Sequence, residues 1–300
     1  MKTLADQNSI VNGSRIAFTH RGEGDAVVLL HGTPSSSYIW RNIAPELLGA
    51  GFSVYLYDLL GYGRSERPWD PAVDTSVSAQ VPLLRQLMSE WGLERAHLVA
   101  HDIGGGIAQR FAIFYPSMVR SLTLVDTVSF DSWPSKRTRE QMAQGLDALA
   151  SAPDNVHRTH FREWLLSAVH HKERFAAGAL NDYLDLISGP VGQASLFQHQ
   201  VAYYDHRHTS EIAPRLGELA DLPVQILWGE NDAWQVVDWA YRLQAAIPGS
   251  LLDTLPECGH FAMEDQPEEV SRLVVSFLSQ QVGSRTDRGK QPDRQPGQER

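Results

Sequence analysis

The sequence predicts an α/β fold: a mostly parallel sheet flanked by helices, interrupted once by an inserted helical cap. Two patterns lead there. Short, continuous apolar runs alternate with helix-like stretches through 1–129 and again through 221–282, and the alternation breaks across 130–220. Continuous rather than alternating apolar strands are what a sheet covered on both faces requires.

Taken in order, VVLL at 27–30 reads as a buried strand and 53–57 as the next. Residues 96–100, 121–125 and 224–227 continue the series. Between them, 77–91 and 105–114 space their apolar residues as helices do. A last helix, 267–278, opens on Pro267 followed by Glu268 and Glu269, as helix starts favour. Residues 130–220 hold no comparable strand, are rich in helix formers and carry seven of the 12 histidines. From Gly283 the chain is polar and rich in Gly, Pro and Gln, the composition of a disordered tail.

Composition narrows the function classes. At 300 residues and 42% hydrophobic, the chain can bury one large core plus an inserted unit. A formal net charge of -10 argues against a nucleic-acid surface and fits an enzyme acting on uncharged, largely apolar small molecules. MKTLADQNSI has no apolar segment of a secretory signal, and no run is long enough for a membrane span. The single cysteine, Cys258, precludes an internal disulfide and fits a reducing, cytoplasmic setting.

The segment LVAHDIGGGIAQRFA sets His101-Asp102-Ile103-Gly104-Gly105 between a buried strand and a helix. A nucleophile elbow, G-x-S-x-G, occupies such a turn, its small residues letting the backbone bend sharply. Here Ala100 replaces the first glycine, Asp102 the serine, and Gly104 is kept. A phosphate-binding loop is the competing interpretation, but neither the dinucleotide nor the Walker spacing is present. Three further segments are in register with an elbow. His31-Gly32-Thr33-Pro34 follows the first apolar strand, Asp232 follows a later strand in LWGENDAW, and His260 lies in ECGHF. Nucleophile, acid, histidine is the chain order expected of this arrangement.

HGTPSSSYIWRNIAPEL, DLLGYGRSERP, HDIGG, GENDAW and CGHFAMEDQPEEV resemble the haloalkane dehalogenase and epoxide hydrolase branch of the α/β-hydrolase fold. The resemblance spans about 16–277, is close around the motifs and weak across the cap. It implies an α/β-hydrolase core, a cofactor-free and metal-free reaction, and an Asp102–Asp232–His260 triad. It also implies an oxyanion hole from the backbone N–H groups of Thr33 and Ile103. Some haloalkane dehalogenases place the acid after an earlier strand, where this chain has Asp126; Asp232 holds the commoner position.

Aspartate changes the chemistry expected of the elbow. A serine must lose its proton as it attacks, whereas a carboxylate with a pKa of about 4 is already ionised. It can displace a leaving group from an sp3 carbon, giving an alkyl ester that His260-activated water then hydrolyses. Ester or amide substrates would instead give an anhydride. The expected substrates are therefore epoxides or alkyl halides, released as diol or alcohol. A lyase, isomerase or cyclase using Asp102 as general base is the other enzyme class, and a binding protein the third.

Three departures from these families bear on the leaving group. Ile103 stands where haloalkane dehalogenases have a halide-binding Trp, and Thr33 where they often have Asn. Phe197-Gln198 matches the late-cap Tyr-Arg pair of epoxide hydrolases, leaving Tyr203, Tyr204 and Trp133 as donors. Ile103 and Gly106 replace the arginines of fluoroacetate dehalogenases. The missing Trp and the HD-x-GG elbow favour an epoxide. His101 is expected to support the elbow, Cys258 to be a buried inert thiol, and Trp40 and Arg41 to support the oxyanion loop. The pairs His157/His160 and His206/His208 lack the further ligands a metal site needs.

Overall fold

The computed structural model describes residues 4–288, with side chains as far as Val282. Eight strands form one sheet: β1 (Gln7–Val11), β2 (Ser14–Arg21), β3 (Ala26–Leu30), β4 (Ser53–Tyr57), β5 (Ala96–His101), β6 (Val119–Val125), β7 (Val224–Gly229) and β8 (Leu251–Leu255). Their spatial order is β1-β2-β4-β3-β5-β6-β7-β8. β3 through β8 run parallel, while β1 and β2 form an antiparallel hairpin joined to β4. The five apolar runs became β3 to β7. The edge strands β1 and β8 carried no such signal, because an edge strand buries one face or less, and β8 has only Leu255 buried; β2, next to the edge, buries only Ile16, Ala17 and Thr19.

Around the sheet lie α1 (Ala44–Gly49), α2 (Val77–Glu90) and α3 (Ile103–Phe114). After β6 come seven short helices, α4 (Lys136–Gln144), α5 (Asp147–Ala150), α6 (Asp154–Leu166), α7 (Lys172–Ala177), α8 (Leu180–Ile187), α9 (Gly189–Ser195) and α10 (Arg207–Ser210). Then follow α11 (Asp238–Ala246), α12 (Ala262–Asp265) and α13 (Pro267–Arg288). α13 corrects one expectation: its backbone stays helical through 283–288, where a disordered tail was expected to start. Extending an established helix costs far less than nucleating one, so a polar sequence can carry it on. The rest of that expected tail, 289–300, lies outside the described residues.

The period of two along each strand divides the core into two layers. Val28 and Leu30 of β3 point to the layer shared with Leu84, Ile107, Phe111 and Leu243, which α2, α3 and α11 supply. Val27 and Leu29 point to the opposite layer, with Leu47 of α1 and Val270, Val274 and Leu278 of α13. Phe161, Leu165, Leu184 and Leu196 of the insertion join that second layer. The insertion is thus packed onto the sheet's core and not merely tethered to it.

A polar clamp reinforces this attachment. The Arg41 guanidinium makes two hydrogen bonds to Glu264, at 2.6 and 2.7 Å, and Tyr183 of α8 donates to the same carboxylate at 2.6 Å. Arg41 also stacks 4.3 Å over Tyr38, whose hydroxyl donates to Asp182 of α8 at 2.8 Å. Arg41 therefore ties the insertion to the core, whereas the sequence assigned it to the oxyanion loop. Glu264 is only 6% exposed at its side chain, and removing one partner of such a pair strands the other's charge. Arg41→Met is expected to destabilise the fold by about 3 kcal/mol in urea unfolding. Pairing it with Glu264→Gln should recover part of that loss.

Candidate active site

The sharp bend after β5 gives Asp102 a positive φ of 52° with ψ of -123°, a conformation a non-glycine residue adopts only when its surroundings enforce it. They do so here. The Asp102 carbonyl accepts from the N–H groups of Gly105 (2.9 Å) and Val128 (3.2 Å), and from Thr127 Oγ1 (3.1 Å). Gly105 is required for this closeness, since a Cβ there would fall 1.7 Å from Thr127 Oγ1. Gly32 is required on the opposite side, where a Cβ would sit 2.5 Å from Asp102 Oδ1.

That approach brings the Thr33 N–H to Asp102 Oδ1 at 2.8 Å. Ile103 is the first residue of α3, so its N–H belongs to the helix-start donors that lack intrahelical partners. The oxyanion loop is itself fixed by His31. Its Nε2 accepts from the Leu59 N–H at 3.0 Å, which leaves Nδ1–H to donate to the Gly32 carbonyl at 2.8 Å.

His260 lies between two carboxylates. Its Nδ1 is 2.8 Å from Asp232 Oδ2, and its Nε2 is 3.5 Å from Asp102 Oδ2, an ion-pair separation too long for a good hydrogen bond. Asp232 Oδ1 is held by the N–H groups of Trp234 (2.7 Å) and Gln235 (2.8 Å). Burial opposes the charge on His260, but the two carboxylates prevail and raise its pKa well above the usual histidine value. Burial likewise opposes the Asp102 charge. The positive His260 beside it and the Thr33 N–H outweigh it, so the Asp102 pKa is lowered.

Asp126 is the third carboxylate of the cluster and behaves differently. Its Oδ1 accepts from the Gly229 N–H at 2.8 Å, while Oδ2 is buried with no hydrogen-bond partner. Burial and then the negative Asp232 push its pKa well above the carboxylate range, so it stays neutral. His101, beneath the elbow, gives its Nε2–H to the His260 carbonyl at 3.0 Å, and burial drives its pKa down to about 3. A neutral imidazole thus joins the elbow strand to the histidine loop. Cys258 is fully buried, its thiol pKa raised by burial, so it stays a thiol.

Asp102 and Thr33 floor a cavity of about 240 Å³. Ile103, Val128, Trp133, Trp164 and Trp234 supply most of its apolar wall. Trp164 and Trp234 stack at 4.4 Å, and none of the lining residues described is cationic. Tyr204 presents the phenol in this wall, its hydroxyl in contact with Thr33 Oγ1. A π-helical turn at Leu196–Gln200 precedes it, and Thr33 Oγ1 donates to Gln200 Oε1 at 3.3 Å. Such widened turns are frequent at functional sites.

Two expected donors are corrected. The Tyr203 hydroxyl donates to the Pro71 carbonyl at 2.7 Å on the outside of the molecule, because adjacent residues of a short 3₁₀ turn face different ways. Trp133 does line the cavity, but its indole N–H donates to Thr209 Oγ1 at 2.8 Å and is not free for a leaving group. Among the histidine pairs, His157 Nε2 bonds the Ile187 carbonyl at 2.7 Å and His208 Nδ1 bonds Ser78 at 2.7 Å. Trp164, Trp234, Gln200 and Ser167 were not singled out by the sequence. Trp164, Ser167 and Gln200 lie in or at the end of helical turns and Trp234 in the loop after β7, where no periodicity signals which side chain meets a cavity.

The two acids make opposite predictions. Asp232→Asn should cost about 10²–10⁴-fold in turnover, since it removes the charge that orients and supports His260. Asp126→Asn replaces a neutral acid by a neutral amide and should cost less than about tenfold. Gly32→Ala should abolish turnover while the purified protein still folds, because the added methyl occupies the space beside Asp102 Oδ1.

Similarity to known proteins agrees with this architecture. A family model for the alpha/beta hydrolase fold matches residues 25–267. An uncharacterized protein of Mycobacterium tuberculosis is 30% identical over 282 residues, covering 89% of this chain and 79% of that one. A Pseudomonas putida 2-hydroxy-6-oxononadienedioate/2-hydroxy-6-oxononatrienedioate hydrolase is 29% identical, covering 88% and 91%. The crystal structure of an alpha/beta hydrolase fold protein from Burkholderia ambifaria superposes with a TM-score of 0.82 at 32% identity, covering 91% and 97%. An eight-stranded, mostly parallel sheet with a sharp turn after its fifth strand, and a family match across most of its length, make this chain a member of the α/β hydrolase family.

Proposed function

We propose that the chain is a hydrolase that opens an epoxide, or displaces a halide from an alkyl carbon, through an ester on Asp102. The observation that carries this reading is the placement of a charge-stabilised carboxylate, on a strained elbow, at the floor of a cavity roofed by the insertion. Its lowered pKa makes Asp102 a weak base, which disfavours a general-base lyase or isomerase and leaves its nucleophilicity in use.

The first step forms a bond from the Asp102 carboxylate to carbon. The electron pair of the breaking C–O bond passes to the epoxide oxygen, which takes the proton of the Tyr204 hydroxyl. In the second step His260 removes a proton from water as the oxygen attacks the ester carbonyl. The Thr33 and Ile103 N–H groups receive the resulting oxyanion. Collapse expels the alkoxide, which takes the proton from His260 and leaves as the diol. The regenerated Asp102 acid loses its proton, and that proton restores Tyr204. Epoxide plus water gives diol, with no cofactor.

Epoxide is favoured over halide by the donors. Tyr204 holds an O–H, shared with Thr33 Oγ1, in the cavity that Asp102 also lines, and a hydroxyl can turn to a substrate oxygen; the Trp133 and Trp234 indole N–H groups are fixed in their ring planes on Thr209 and Ser167, at 2.8 and 2.9 Å. The absence of cationic lining residues favours an uncharged substrate. The name of the Pseudomonas putida relative specifies a dioate, which a cavity of this composition is poorly suited to hold.

His260→Gln should trap the ester, seen by mass spectrometry as styrene oxide added to the Asp102 peptide. If no epoxide or haloalkane consumed by the wild type leaves an adduct there, the reading fails. The two half-reactions should also differ in pH dependence. Because the Asp102 pKa is lowered, alkylation should stay flat from neutral pH through the ordinary carboxylate range and fall only in stronger acid. Esterification removes one of the two charges that hold His260 protonated, so its pKa drops. Ester hydrolysis needs the neutral imidazole and should speed up as pH rises through that value, as rapid-quench kinetics would show.

A further inference from the structure

The loop after β7 carries a side chain that the mechanism leaves unused. Gln235 lines the same cavity as Asp102 and is only 5% exposed. Its Oε1 is buried with no hydrogen-bond partner among the described residues. A glutamine amide has an acceptor oxygen and two N–H donors, and burying such a group unpaired costs free energy. A methionine of similar length would line the wall without that cost.

The other polar groups of the wall are taken. Thr33 Oγ1 is in contact with the Tyr204 hydroxyl, Ser135 Oγ is 2.9 Å from Thr138 Oγ1, and Ser167 Oγ donates to the Trp164 carbonyl at 2.6 Å. The Gln235 backbone is fixed as well. Its N–H donates to Asp232 Oδ1 at 2.8 Å, and its carbonyl accepts from the Trp228 indole at 2.7 Å. Its neighbour Trp234 stacks on Trp164 of the insertion. The carboxamide is therefore mounted at a set place in the wall, on the loop that holds Asp232. Its last torsion is soft, so either the oxygen or the nitrogen can turn to the cavity.

We propose that Gln235 is a specificity-determining residue whose carboxamide binds a hydroxyl of the substrate, which places the substrate among uncharged epoxides that carry an alcohol. This rests on the Asp102-ester reading. A hydroxyl both donates and accepts, so it pairs with either end of the amide. None of the lining residues described is cationic, which disfavours a substrate carboxylate in the same role. The alcohol takes no part in the bonds that form and break, so its contact with Gln235 is as strong before the reaction as during it. It should tighten binding and leave alkylation at saturation little changed.

The test measures Asp102 adduct formation by mass spectrometry in the His260→Gln background, with ring-substituted styrene oxides. At each ring position a hydroxymethyl group is compared with an ethyl group of the same shape. At one position or more, the hydroxymethyl epoxide should half-saturate at about 10-fold lower concentration than its ethyl twin. Gln235→Met keeps both backbone hydrogen bonds and should erase or reverse that preference. No preference for hydroxymethyl at any position would overturn the proposal. So would a preference that survives Gln235→Met, even if that variant slows both epoxides equally, as a merely structural role would. Adducts that form without the preference leave the Asp102-ester reading standing, whereas no adduct with any of these epoxides removes both.

Discussion

The site depends on one backbone constraint, the strained bend at Asp102. A residue with φ of 52° and ψ of -123° persists only because its carbonyl is held by the N–H groups of Gly105, Gly106 and Val128 and by the Thr127 hydroxyl, and because glycines on either side allow closer packing than a Cβ permits. From that bend follow the exposure of the carboxylate to the cavity, its contact with the Thr33 N–H and the start of α3 immediately behind it.

Around the bend, charge is distributed by burial and hydrogen bonding more than by residue type. Asp102, Asp232 and Asp126 are three buried carboxylates with three roles. Asp102 is ionised against His260 and a backbone N–H. Asp232 is fixed by two N–H groups and the imidazole. Asp126 has one N–H and a negative neighbour, and so keeps a proton. An ionised Asp126 would place a third negative charge around a single imidazole. The same reasoning applies to the histidines: His260 is charged because it has two anionic neighbours, and His101, which lends its N–H to a carbonyl, is neutral.

The insertion supplies much of the wall of this site. It contributes Trp164, Ser167 and Tyr204 to the cavity and is bound to the core by shared apolar packing and by the Arg41–Glu264–Tyr183 clamp. The contact of the Thr33 and Tyr204 hydroxyls crosses the same boundary.

The sequence by itself determined the sheet's central strands, the elbow and the order of Asp102, Asp232 and His260. These are local: a buried parallel strand must be continuously apolar, and a sharp strand-to-helix turn must be built of small residues. It left β1, β2 and β8 unseen because these outer strands of the sheet bury too few residues to enforce a continuous apolar run. Only the tertiary structure placed Tyr204 and not Tyr203 in the cavity wall, committed the Trp133 indole to Thr209 and drew Arg41 away to Glu264. Each of those outcomes depends on the direction of a side chain across segments far apart in the chain, and no periodicity within one segment encodes it.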